Sequence, residues 1–419
     1  MRVAYVCTDP GVPVFGQKGS SVHVQAVLRE LVRGGAEVEL FAARLGASPP
    51  NGLSPVSLND LGRPATGDLA GRERELQRAD DQLPARLAVG PPFDLVYERF
   101  SLWSTAGMRH AAAAGIPSIL EVNAPLVEEQ AEHRGLVDRA EAHRRAATAL
   151  RLAGAAICVS EPVAAWVRTL SPTTPTRVVP NGVDPDRFDV RRGGPGLSTR
   201  ARPFTVAFVG TLKPWHGVDV LVHAIAAVAD VHLLVVGDGP ERESLGRLAT
   251  ALGVEERVHF RGPVAPEAMP AELAGADAAA APYPMAECYF SPLKVFEYLA
   301  AGLPVVASRS GQLPQLLTDG ADALLVPPAD PVALAHALSR LRDDEQLRER
   351  LGATARAAAQ RHSWARVVAA SLAAVGLRLP ADDSADDSAD DSADDSADDS
   401  ADDSADDSAD DSADDSVTV

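Results

Sequence analysis

Short β-branched runs alternate with helix-like segments through this chain, and the series occurs twice, divided by a stretch that suits neither. In the first series Val3–Val6, Glu37–Phe41, Leu95–Tyr97, Ser118–Val122, Ala156–Val159 and Arg177–Val179 read as strands, with helices over about 21–34, 103–114, 125–152 and 161–170. In the second, Thr205–Val209, His232–Val236, Val258–Phe260, Ala278–Ala280, Val305–Ala307 and Ala323–Val326 alternate with helices near 218–229, 241–252, 266–274, 292–301, 312–318, 331–342 and 345–361. Arg191–Pro203, rich in Gly, Pro and Arg and without apolar periodicity, is expected to be a linker. This rhythm is that of an α/β protein with two doubly wound parallel sheets, and such a pair places a shared ligand between the carboxyl ends of its strands.

A length of 419 residues suits two domains of about 150–200 residues each. The expected division is 1–190, a linker at 191–204, 205–362, and a last helix within 363–380 that is free to cross back to the first domain. Residues 44–92, rich in Pro, Gly and charge, read as an insertion with a short helix near Arg72–Gln82. Residues 381–416 are nine copies of Ala-Asp-Asp-Ser. They bury nothing apolar and repel one another, so 381–419 is expected to be a disordered acidic tail. Removing its 18 aspartates from the formal charge of −20 leaves −2, and a near-neutral body gives no reason to expect a nucleic-acid partner. Cys7, Cys158 and Cys288 are far apart, so neither a disulfide framework nor a zinc site is indicated. With no apolar run of transmembrane length and no leader-like start, a soluble, cytoplasmic protein is expected.

Ser291–Val306 sets a cation and a carboxylate on one helix that runs directly into a strand. Pro292, the apolar Leu293, Val295, Phe296 and Leu299, and Gly302-Leu303-Pro304 define roughly three turns. Lys294 and Glu297, three apart, share a face. Phosphate oxygens can settle at a helix start, where backbone N–H groups are unpaired, while Glu297 one turn deeper accepts hydrogen bonds from sugar hydroxyls. Taken alone, the two side chains read more simply as an exposed ion pair.

Three further loops add to this. Gly16-Gln17-Lys18-Gly19-Ser20-Ser21 leads from the first strand into a helix: Gly19 lets the backbone approach a phosphate, and Ser20 or Ser21 can cap the helix. Its spacing is not G-x-G-x-x-G, which disfavours a nicotinamide enzyme. Gly210–Asp219, at a strand's carboxyl end, places Lys213 and His216 within reach of the same cleft, where a lysine acts as a point charge on phosphate; a surface lysine beside a packing Trp215 is the alternative. Asp238, in a tight turn, caps the next helix or faces the cleft, and the sharp turn Arg261–Val264 can hold a flat base by backbone contacts.

In this order, Val179-Pro-Asn-Gly-Val-Asp184, Phe208-Val-Gly210 with His216-Gly-Val-Asp219, Val236-Gly-Asp-Gly-Pro240, Arg261-Gly262 and Glu297–Val306 resemble glycosyltransferase family 4, over about residues 1–377. The resemblance implies the GT-B architecture, two Rossmann-like domains facing across a cleft, and a retaining, nucleotide-sugar-dependent transferase. On this likeness Glu297 binds the ribose hydroxyls, the backbone around Leu293 and Lys294 approaches the diphosphate, Gly19 (with Ser20 beside it) lies by the β-phosphate, and Arg261 to Val264 line the base. The sequence also departs from the family pattern. The signature of Glu, seven residues, then Glu has Tyr289 at its first position, and Glu287, two residues away, would need a changed loop to replace it. Both stand as candidates for the transferred sugar. Thr211 and His216 stand where arginine and lysine are common, with Lys213 and Lys294 to compensate. Asn123 follows Glu121 where many members end the strand with histidine.

The mechanism so implied is electrostatic. Lys213, Lys294 and the N–H groups at Gly19 would stabilise the charge that grows on the leaving diphosphate, and Asn123 would hydrogen-bond beside the reacting sugar. No cofactor is expected beyond the nucleoside-diphosphate sugar as co-substrate. No metal is expected either, since the chain has no closely spaced set of His or Cys ligands. The acceptor, a glycan, lipid or small molecule, is expected to meet the first domain. Two other readings share the architecture: a sugar-nucleotide epimerase, and a protein that binds a nucleotide sugar without turnover, suggested by Tyr289 and Asn123 in place of ionisable groups. The segment 125–152 carries five arginines balanced by five acids and reads as a solvated face, with peripheral membrane contact kept open because lipid-linked acceptors are common in the family.

Overall fold

The apolar runs assemble into two parallel sheets in the computed structural model, which describes residues 1–63, 67–189 and 203–380. Among these residues the first sheet and its helices run β1 (Arg2–Cys7), α1 (Gly19–Arg33), β2 (Glu37–Ala42), β3 (Ser57–Asp60), α2 (Leu69–Leu87), β4 (Leu95–Arg99), α3 (Ala106–Ala114), β5 (Ser118–Val122), α4 (Leu126–His133), α5 (Arg139–Leu152), β6 (Ala155–Cys158), α6 (Glu161–Leu170) and β7 (Thr176–Val178). The second runs β8 (Phe204–Val209), α7 (Val218–Ala227), β9 (Val231–Val236), α8 (Arg242–Ala251), β10 (Val258–Gly262), α9 (Met269–Ala274), β11 (Ala278–Ala281), α10 (Leu293–Ala300), β12 (Val305–Ser308), α11 (Leu313–Leu316), β13 (Ala323–Val326), α12 (Pro331–Asp343) and α13 (Glu345–Arg361). The strand orders are β3-β2-β1-β4-β5-β6-β7 and β10-β9-β8-β11-β12-β13. In each sheet the order reverses beside its first strand, between β1 and β4 and between β8 and β11, and a crevice opens beyond the carboxyl ends at such a point. Strands covered by helices on both faces must be apolar throughout, and β5, β11 and β12 are buried along their whole length.

After α13 the chain returns to the first sheet. Ser363 pairs with Val183, Val183 donates to the His362 carbonyl at 2.9 Å, and Trp364 donates back to the Val183 carbonyl at 3.0 Å. Gly182 fits there because a Cβ would stand 3.0 Å from both the His362 oxygen and the Trp364 nitrogen. α14 (Trp364–Ala373) then lies on α1, where Trp364, Val368 and Leu372 share a buried cluster with Val24 and Leu28. The Trp364 ring meets His23 edge-on at 4.8 Å.

Some expectations need correction. The helix expected over 125–152 is broken into α4 and α5, because Gly135 takes φ 81°, a left-handed conformation open to glycine, and Asp138 caps α5 by accepting from the Glu141 N–H. The insertion contributes an edge strand, β3, whose largely exposed Ser-Leu-Asn-Asp carries no apolar run to announce it, and its helix spans Leu69–Leu87 rather than 72–82. Nearly all of the expected linker and the whole repeat tail lie outside the described residues. Among the described residues no helix is long and apolar enough to cross a membrane.

Trp364→Ala should cost about 3–5 kcal/mol, read as a lowered urea midpoint, since it empties a buried site shared by α14 and α1. A loss under about 1 kcal/mol would mean that α14 adds little to that core.

Candidate active site

Two helix N-termini meet across the crevice. α1 begins at Gly19 and α10 at Leu293, so near one another that a Cβ on Gly19 would meet Leu293 Cδ1 at 3.4 Å. Both helices bring unpaired N–H groups and partial positive charge to one place. The cleft around them, about 1280 Å³, is lined by Gly19, Ser20, Asn123, His216, Val264, Tyr289, Leu293, Lys294 and Glu297. A more open depression of about 890 Å³ lies over the loops after β2 and β3, with Arg44 and Arg63 in its wall. It shares Pro13 with the cleft but none of those nine groups.

Lys294 is held there by the way β8 ends. β11 pairs with β8 only as far as Ala207, so the Val209 N–H is left over and donates to the Tyr298 hydroxyl at 2.7 Å, which fixes α10 under the strand end. Gly210, at φ 140°, leaves room: a Cβ would come 2.9 Å from Lys294 Nζ. The ammonium lies 4.1 Å from the Phe208 ring centroid and 5.5 Å from that of Tyr283. Among the described residues it makes no hydrogen bond or ion pair, so the pairing with Glu297 does not form. Burial pushes the Lys294 pKa down to about 7 against the pull of Glu297, and burial pushes Glu297 up to about 7 against Arg187 and Lys294.

His216 is no substitute cation. Burial and then the Lys294 charge push its pKa down to about 3. Its Nδ1 faces the Thr211 carbonyl, which can only accept, so Nδ1 carries the proton and Nε2 is left as an acceptor.

The opposite wall is built on Glu121, buried at the end of β5. One of its oxygens lies 2.8 Å from His23 Nε2, 3.1 Å from Arg99 Nη1 and 2.5 Å from Asn123 Nδ2, and the other accepts from the Tyr97 hydroxyl at 2.9 Å. Burial raises its pKa, but His23, Arg99 and Asn123 outweigh this and hold it at about 2. Asn123 thus commits one N–H to the wall.

Other predicted site residues lie elsewhere. Lys213 precedes the short 3-10 turn Pro214–His216, which presents Trp215 and His216 to the cleft and sends the lysine behind it, into a separate pocket of about 180 Å³ beside Asp219 and Glu241. Arg261 is more than half exposed and pairs with Glu272 at 3.0 Å, leaving Pro263 and Val264 at the cleft. Glu287 is exposed and does not line the cleft. Neither Ser20 nor Ser21 caps α1: Lys18 holds the cap position, and the Ser21 hydroxyl donates to the Pro13 carbonyl at 2.5 Å. Asp238 lines the cleft and accepts from Gly239 N, while the cap position of α8 belongs to Glu241. Sequence reasoning missed Arg99, Glu129 and Arg134, which also line the cleft. Arg99 lies beyond the expected end of its strand, and the other two were averaged into a charge-balanced helix. Among the described residues no group of three or more His, Cys, Asp or Glu stands ready to hold a metal.

Residues 18–187 match the family model described as Glycosyltransferase Family 4, and residues 203–344 the one described as Glycosyl transferases group 1. The D-inositol 3-phosphate glycosyltransferase of Corynebacterium efficiens is 31% identical over 87% of this chain and 92% of its own length. The MMP alpha-(1->4)-mannosyltransferase of Mycolicibacterium hassiacum is 29% identical over 85% and 93%. Among solved structures, sucrose-phosphate synthase from Thermosynechococcus elongatus superposes with a TM-score of 0.69 at 21% identity over 88% of this chain and 96% of that one. Anabaena Alr3699/HepE in complex with UDP-glucose does so with a TM-score of 0.62 at 20% identity over 89% and 99%. The two likenesses in structure establish the fold, two Rossmann-like domains in the GT-B arrangement.

Lys294→Met should stabilise the ligand-free protein by roughly a few kcal/mol. Between about pH 7 and 10.5 the unfolded lysine holds a proton that the folded one has lost, so wild-type stability rises through that window. The advantage of the variant in chemical denaturation is therefore greatest below pH 7 and fades towards 10.5. A destabilised Lys294→Met protein would mean that the ammonium has an unseen partner.

Proposed function

The chain belongs to glycosyltransferase family 4, and on that premise we propose that it moves a glycosyl group from a nucleoside-diphosphate sugar to an acceptor with retention of anomeric configuration. The observation that carries this is the unpartnered Lys294 ammonium beside two converging helix N-termini, a site short of an anion. The diphosphate would lie against Lys294 and the N–H groups at Gly19 and Leu293. The ribose would lie on Glu297, one turn further along α10, and the base against Pro263, Val264 and Gly237. The complexes of HepE with UDP and UDP-glucose support this class of donor.

In the ligand-free site burial drives Lys294 towards its neutral form, and an arriving diphosphate returns it to the ammonium. As the bond to the anomeric carbon breaks, negative charge grows on the departing phosphate where the ammonium and helix dipoles are already oriented. These groups carry the charge that a metal would otherwise carry, and the reaction is proposed to be metal-independent. His216, neutral, offers Nε2 as a hydrogen-bond acceptor. The acceptor molecule would enter along the first sheet, past Asn123 and Arg99. We assign residues 1–190 to the acceptor side and 205–362 to the donor side, working in the cytoplasm or at a membrane surface where the acceptor is lipid-linked.

Glu297→Ala should weaken nucleoside-diphosphate affinity about 10- to 100-fold in calorimetry, the value of a charge-assisted hydrogen bond. Unchanged affinity would remove the ribose role. Proton NMR of the product should show the donor's anomeric configuration, and inversion would contradict the proposal.

A further inference from the structure

One helix of the first domain reaches the second across the cleft. Glu129 and His133 of α4 are one turn apart and share a face. The Tyr289 hydroxyl donates to Glu129 Oε2 at 2.9 Å, and the His133 ring stacks on Trp215 with centroids 6.2 Å apart. Glu128, the preceding residue, is tied back to the first domain, accepting from Trp166 Nε1 at 2.7 Å. Tyr289 is itself fixed: its carbonyl accepts from the Ser160 hydroxyl, and its ring packs on the first sheet's core. Two residues on, Ser291 is bound by both the backbone N and Nδ2 of Asn181, at 3.0 and 2.7 Å. Both domains therefore set the position of the Glu129 carboxylate.

The carboxylates that line the cleft are not equivalent. Asp9 and Asp238 accept from N–H groups of their own turns, Gly11 and Gly239. Glu297 lies one turn into α10. Glu129 stands at the wall opposite, with Oε1 accepting from Arg134 at 3.0 Å and Oε2 from Tyr289. A carboxylate oxygen accepts two hydrogen bonds, so each keeps one lone pair. A sugar on a diphosphate seated at the start of α10 must lie near the residues that lead into that helix, and Tyr289 with its partner is among them.

We propose that Glu129 is a specificity residue for the transferred sugar, a carboxylate lent by the first domain, oriented across the cleft by Tyr289, and accepting hydrogen bonds from the glycosyl hydroxyls. This rests on the donor reading above. Nucleotide contacts come largely from α10 and the loops of the second domain, whereas the sugar is read only when the domains are closed enough for Tyr289 to hold Glu129.

The test compares the full-length wild type with Glu129→Gln and Tyr289→Phe by calorimetry, with UDP, GDP, UDP-glucose, UDP-galactose, GDP-glucose and GDP-mannose as ligands. Thermal midpoints confirm that both variants fold. Glu129→Gln should bind the preferred free nucleotide within twofold of wild type, lose about tenfold or more in affinity for the matching nucleotide sugar, and discriminate less between the two epimers. Tyr289→Phe should show the same pattern, more weakly. Unchanged sugar affinity and discrimination in Glu129→Gln would overturn the proposal, and so would an equal loss for nucleotide and nucleotide sugar, which would make Glu129 only a tie between domains. If wild type bound neither nucleotides nor nucleotide sugars, the donor reading would fall, and this inference with it.

Discussion

Lys294 Nζ sits beneath Gly210 with an aromatic face at 4.1 Å and, among the described residues, no hydrogen-bonding partner. Desolvating an ammonium costs several kcal/mol unless a partner repays it, and a ring quadrupole repays only part. Much of the surrounding structure is what makes the arrangement possible. β8 and β11 part after Ala207, Tyr298 occupies the freed Val209 N–H, and glycine at 210 leaves the space the lysine fills. The N-termini of α1 and α10 add positive potential at the same point, so the protein alone leaves the site electrostatically unsatisfied and an anion relieves it.

The same site depends on how the domains are joined. The chain crosses between them at Val183 and Ser363, and α14 returns to cover the first sheet. The loop into α10 is pinned from the other side by Ser160, Asn181 and, through Tyr289, by Glu129. The proposed diphosphate site, made from two helix ends in different domains, exists only while these contacts hold. The cleft is thus a property of closure as much as of either sheet.

What was legible in the sequence was whatever local chemistry dictates. Buried parallel strands must be apolar on both faces, so the central strands of both sheets could be read as short runs, and the edge strands β7 and β10 by their β-branched and aromatic residues. Glu297, Lys294, Gly19 and Val264 could be placed because they lie in loops that follow strands or begin helices, whose position the topology fixes. β3 could not, since an exposed edge strand needs no apolar run. Lys213 and Arg261 were misread because a residue's direction from a turn is set by that turn's dihedrals, not by its distance along the chain. Lys294 proved unpaired for a similar reason: spacing puts it on one face with Glu297, but the gap below Gly210 draws the ammonium away. Glu129 was invisible for a different reason, that the contact which orients it comes from a partner 160 residues away. Position 289, a departure from the family signature on paper, becomes intelligible only once the residue it holds is seen.

The most direct test of the account is the affinity of wild type and Lys294→Met for a nucleoside diphosphate, measured by calorimetry from about pH 6 to pH 9. Below pH 7 the free lysine is protonated and supplies its charge at no cost; above it, binding must first recruit a proton. The ratio of wild-type to variant affinity should therefore be greatest below pH 7 and shrink by up to about tenfold per pH unit above it. A ratio that stays constant across the range would contradict the claim that a buried, unpaired ammonium is what draws the diphosphate into the cleft.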